Sequence, residues 1–114
     1  MATFAPRLIS VGTTPIVVLN KRDGDNFNNR RKQYIVIFLS TSKVSGNTGL
    51  LYLGIGSVPN QAAGAGVHVM SPGDQFSEST LYNEPNLAGT DVTQDALYAV
   101  ASAGNQQIEI IEVV

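Results

Sequence analysis

Short β-forming runs, each cut off by turn residues, set the limits on what this chain can fold into. Val, Ile, Thr, Tyr and Phe gather over residues 7–11, 14–20, 32–41, 49–56, 66–70, 75–81, 96–102 and 106–113, and Gly, Pro, Asn and Ser part these runs about every ten residues. That spacing predicts an all-β fold: a single antiparallel β-sandwich, jelly-roll-like, of about eight short strands. The whole chain, 114 residues, has the length of one domain. Residues 91–102 are ambiguous, because Val92, Ala96, Leu97 and Val100 recur at helical spacing. Gly89 and Thr90 precede them and a turn follows directly, so a strand from Ala96 is expected.

The turns carry their own chemistry. In SPGD (71–74), Pro72 and Gly73 occupy the second and third positions of a type II turn, where the glycine supplies positive φ. The AGN at 103–105 reads as a hairpin between the last two strands. Two long polar stretches, 21–32 and 82–95, read as surface connections.

The run KQYIVIFLS (32–40) is apolar on both sides: Tyr34, Val36 and Phe38 alternate with Ile35, Ile37 and Leu39. In LLYLGIG (50–56), Leu50 and Tyr52 likewise oppose Leu51, Leu53 and Ile55. A sandwich strand has one core face, so the second face needs a cover. The expected cover is another subunit or a larger partner, because so short a chain has little to spare. Tyr34, Val36, Phe38, Leu50 and Tyr52 are the expected outer face, or the opposite set if the register is reversed.

Charged residues make up 14 % of the chain, well below the usual share, so the surface is not dominated by solvated charge. Their distribution is uneven. Every basic residue lies at or before Lys43, so residues 1–57 carry a net +5, and residues 58–114 carry −7 with no base. Either folding mixes the two halves in space, or they meet across an interface. Lys21, Arg22, Arg30 and Arg31 are the basic residues expected at an interface.

Catalytic and ligand-binding motifs do not assemble. There is no cysteine and one histidine, His68, which removes disulfides, thiolate chemistry and two-histidine metal motifs. His68, between Val67 and Val69, is expected to be a partly buried structural residue. The Gly54-x-Gly56 pair breaks at Pro59 with no helical pattern after it, so GIGSVPNQAAGAG (54–66) reads as an inter-strand loop rather than a phosphate cradle. The acidic DGDNFNN (23–29) has Asn28 and Tyr34 where a calcium loop needs glycine and a carboxylate. No serine sits in a nucleophile elbow, and the acidic pairs Asp91/Asp95 and Glu109/Glu112 read as solvated. No enzyme, cofactor or metal is expected. The acidic pI, about 5.1, argues against a nucleic-acid partner despite Arg30, Arg31 and Lys32. No run is long enough to span a membrane as a helix, and no secretory leader is read at the N-terminus.

Taken in order, VGTTP (11–15), RRKQYIVIFLS (30–40), LYLGIGS (51–57), GVHVMSPGDQFS (66–77) and LYAVASAGNQQIEIIEVV (97–114) resemble small tailed-bacteriophage virion proteins of the capsid decoration or cement type. The connection at 40–49 is longer than that pattern. The resemblance implies a β-sandwich or jelly-roll module without cofactor, made in the host cytoplasm and carried on the virion surface. Its implied partners are the major capsid protein and copies of itself, as a homotrimer. The expected contact regions are Lys21–Arg31, Tyr82–Asp95 and the N-terminal segment, with residues 1–8 as an arm. A tail, neck or fibre-base component and a lectin-like carbohydrate-binding module are the alternatives.

Overall fold

The β-forming runs fold as strands, and their order in the sheets follows from how the chain is rolled. The computed structural model describes residues 6–21, 31, 33–59, 68–79 and 95–113. Among them the strands are β1 (Arg7–Val11), β2 (Ile16–Leu19), β3 (Gln33–Phe38), β4 (Leu51–Ile55), β5 (His68–Met70), β6 (Gln75–Ser79), β7 (Leu97–Ala101) and β8 (Gln106–Val113), with no helix. They form two antiparallel sheets of four, ordered β1-β8-β3-β6 and β2-β7-β4-β5. The pairs β1·β8, β2·β7, β3·β6 and β4·β5 are those of one long hairpin with arms β1–β4 and β5–β8. Rolling that hairpin adds β3·β8 and β4·β7. The result is a jelly-roll β-sandwich.

This topology corrects one local expectation. The connection at 102–105 is not a hairpin, because β7 and β8 lie in different sheets and the chain crosses between them. Asn105, at φ 55°, takes the left-handed conformation there, which asparagine tolerates better than most residues. The SPGD turn forms as expected. Gly73 sits at φ 96°, Asp74 donates its N–H to the Ser71 carbonyl at 3.0 Å, and its carboxylate accepts from the Ser71 N–H at 2.8 Å. The ambiguous segment gives the strand β7, beginning at Leu97.

Register decides which face of β3 is core. Tyr34, Val36 and Phe38 are buried between the sheets, while Ile35 and Ile37 are half-buried on the outside. The expected outer set is therefore reversed on β3. The cause is β8, which pairs Ile108 with Phe38 and Ile110 with Val36, while its Glu109 pairs with Ile37. Of the two β8 carboxylates, Glu109 lies mid-strand and faces outward, while Glu112, on the inner side at the strand's end, is met there by Arg31, and every rung follows. On β4, Leu51 and Leu53 are buried, Leu50 is exposed and Tyr52 is half-buried on the outer side. Val11, Leu19, Met70, Leu97 and Ala99 complete the same apolar core.

Polar side chains close the core at one end. Asn47, fully buried, donates to the Leu39 carbonyl at 2.8 Å and the Gln107 carbonyl at 2.9 Å, and accepts from the Gln107 N–H at 2.7 Å. Its amide thus stands in for a strand peptide where β3 stops. Gln106 accepts from the Gly49 N–H and donates to the Gly46 and Gly104 carbonyls, each at 3.0 Å. Burial of these amides is tolerable because their hydrogen bonds are made. They hold the whole 39–50 connection against the sandwich.

Candidate interaction surface

Antiparallel topology divides the connections between two ends. The links 12–15, 39–50, 71–74 and 102–105 lie at the Gln106 end. The links between β2 and β3, β4 and β5, and β6 and β7 leave the opposite end, where the chain also enters β1. Lys43 and Asp74 lie at the Gln106 end and Glu109 mid-strand. Every other charged residue flanks the opposite end or belongs to a connection that leaves it.

Arg31 organises that second end. The side chain, 1 % exposed, donates from Nε to Glu112 Oε2 at 2.9 Å, from one terminal nitrogen to the Asn20 carbonyl at 2.7 Å, and from the other to the Asp95 carbonyl at 3.3 Å. Its guanidinium carbon lies 5.8 Å from the Tyr34 ring centre. One planar fork therefore ties the end of β2, the approach to β7 and the end of β8 across both sheets. Arg31 is thus a structural clasp and not an exposed interface cation, because three acceptors from separate strands converge on it. Arg7, half exposed, also approaches Glu112, at 3.6 Å. The basic first half and the acidic second half meet inside one chain through these pairs.

Beside the clasp, the Tyr34 hydroxyl is buried and has no hydrogen-bond partner among the described residues. Burial, reinforced by the negative charge of Glu78, pushes its pKa far above the ordinary phenol value, and Arg31 opposes this only in part. Lys21 is exposed at the same end. Arg22, Arg30, the acidic stretch 23–29, most of the 82–95 connection and residues 1–5 lie outside the described residues. Arg7 and Leu8, expected in the arm, belong to β1 and pair with Ile110 and Glu109.

Among the described residues, the outer face of β2-β7-β4-β5 carries no charged side chain. One rung holds Val17, Tyr98 and Gly54, and the next holds Val100, Tyr52 and Val69. Part of the cover this face needs comes from the chain itself. A Cβ on Gly54 would collide with the Ser57 carbonyl oxygen and lie 2.9 Å from the Pro59 ring, so the chain after β4 folds back over the glycine and Pro59 is buried. That fold-back stands where a phosphate loop would need a helix. On the outer face of the other sheet, Leu8, Ile35, Ile37 and Ile111 surround Glu109.

His68 is exposed, in contrast to the expectation of partial burial. Its ring stacks on Phe76 at 4.3 Å between centroids, bridging the edge strands β5 and β6 of the two sheets. Among the described residues no further strand covers either edge. Among the described residues, no group of three or more His, Asp or Glu side chains converges as a metal site would require. No family model, curated protein or solved structure matches the chain.

Proposed function

We propose that the chain is a structural virion protein that binds the outside of a bacteriophage capsid and stabilises it, with the major capsid protein as partner. One observation carries this reading. Three of the four connections longer than ten residues and the entry to β1 leave one end of the sandwich, and among the described residues Arg7, Lys21, Arg31, Glu78, Asp95 and Glu112 flank that end. Binding residues concentrate on loops held by a rigid scaffold, and here the scaffold is closed by Asn47 and Gln106 at the other end. The sequence resemblance supplies the partner, and the jelly roll is a recurrent architecture of viral capsid domains. Many weak contacts repeated over a lattice hold such a module by avidity.

Capsids lacking the protein, mixed with it, should retain it on sedimentation and gain resistance to heat or chelation. Replacing Lys21, Arg22 and Arg30 with glutamate should weaken that binding and leave the unfolding transition unchanged. Removing residues 2–5, which stops short of β1, should also weaken it. Failure of the intact protein to bind capsids would overturn the proposal. A lectin-like function is the second reading, favoured by Tyr52 and Tyr98 on one outer face of adjacent strands. Retention on a glycan array without capsid binding would replace the first reading with the second.

A further inference from the structure

Among the described residues, the sheet β1-β8-β3-β6 ends in two unpaired edges, since β1 pairs there only with β8 and β6 only with β3. An unpaired edge presents a row of backbone donors and acceptors, and natural proteins blunt such edges with short strands, proline or bulges. The other sheet is blunted in this way. Its edge strand β5 has three residues, and β2 follows Pro15 and breaks register between Val17 and Leu19. In contrast, β1 and β6 each run five residues in unbroken register without proline.

Strand directions alternate across the sheet, so β1 of a second copy laid beside β6 runs antiparallel to it. One register satisfies both faces. With Arg7 opposite Glu78, Ile9 falls opposite Phe76 on the inner side, and Leu8 and Ser10 fall opposite Ser77 and Gln75 on the outer side. Arg7 makes two long contacts within its own chain, to Glu112 at 3.6 Å and to the Val18 carbonyl at 3.5 Å, and keeps half its side chain exposed. Leu8, at 69 %, is the most exposed large apolar side chain among the described residues. Opposite charges therefore sit on opposite edges of one sheet and on its same side, with Glu78 two residues nearer the Glu112 end than the rung of Arg7.

We infer that copies of this chain associate edge to edge, β1 of one against β6 of the next, with Arg7 facing Glu78 of the neighbouring copy. Such a contact is heterologous and propagates into a ring or a filament. It goes beyond capsid binding and is tested on purified protein alone, so its failure and that of the capsid reading are separable.

The natural chain has no cysteine, so introduced cysteines report the register directly. Facing residues of an antiparallel pair lie about 4.5–5.5 Å apart at Cα, within the roughly 4.4–6.8 Å that a disulfide spans. L8C mixed with S77C should form a covalent dimer on oxidation, while each variant alone stays monomeric on a non-reducing gel. The double variant should give a ladder or a closed ring. In sedimentation, E78R and R7E should each weaken self-association by about tenfold or more, and mixing the two should restore it, because like charges then face opposite ones again. Cross-linking of L8C with itself as readily as with S77C would overturn the inference. So would failure of the mixture to cross-link when both variants unfold like the wild type.

Discussion

Removal of the Arg31 guanidinium separates a clasp from a surface cation. In the R31A variant the Asn20 and Asp95 carbonyls lose their donors, and Glu112, 13 % exposed, keeps Arg7 at 3.6 Å. Breaking a buried ion pair by deleting one partner costs about 3–5 kcal/mol. Arg7 remains nearby and partly solvated, so the lower end, about 3 kcal/mol, applies. R31K keeps the charge, but one ammonium cannot span acceptors on three strand ends, and about half that loss is expected. Urea unfolding followed by circular dichroism measures both. With a slope near 1–1.5 kcal/mol per molar for a domain of this size, the R31A midpoint should fall by roughly 2–3 M. An R31A protein within about 0.5 kcal/mol of wild type that had lost self-association would refute this reasoning and restore Arg31 to the surface.

N47A should lose about 2–3 kcal/mol in the same assay, because the Leu39 carbonyl and the Gln107 N–H lose their partner and the Gln107 carbonyl keeps only the long bond from the Leu39 N–H. G54A should cost about 2–3 kcal/mol through overpacking against Ser57 and Pro59, while G12A, which meets nothing within 4 Å, should stay within about 0.5 kcal/mol. Tyr34 has a folded pKa above its unfolded value, so its contribution is complete below about pH 10 and is lost as pH rises further and the unfolded chain ionises. Y34F removes a buried hydroxyl that has no partner among the described residues; it should match or exceed wild-type stability at pH 8 and lose less between pH 8 and pH 11. A Y34F protein clearly less stable than wild type at pH 8 would mean that the hydroxyl has a partner.

The strands were legible because each has its own β-forming run and its own turn residues, as in SPGD with Gly73 at positive φ. The face of β3 was not, since Tyr34, Val36 and Phe38 are as apolar as the residues between them, and the information lies in Glu109 on a strand some 70 residues later. Local turn signals cannot say whether a connection pairs its two strands or crosses between sheets, so residues 102–105 read as a hairpin although they join the two layers. Arg31 looked like one cation among several. Its distinction arises from acceptors at Asn20, Asp95 and Glu112 that only the rolled topology gathers. Asn47, in a serine- and glycine-rich stretch, gave no signal, because the peptide group it imitates exists only beside the end of β3.

The account turns on which end of the sandwich meets the capsid. A density map of decorated capsids, with this structure fitted, measures that directly. The end bearing Arg7, Asn20 and Asp95 should lie against the shell, with the Gly73 and Gly104 turns pointing away from it. A map with those turns seated on the shell would contradict the account.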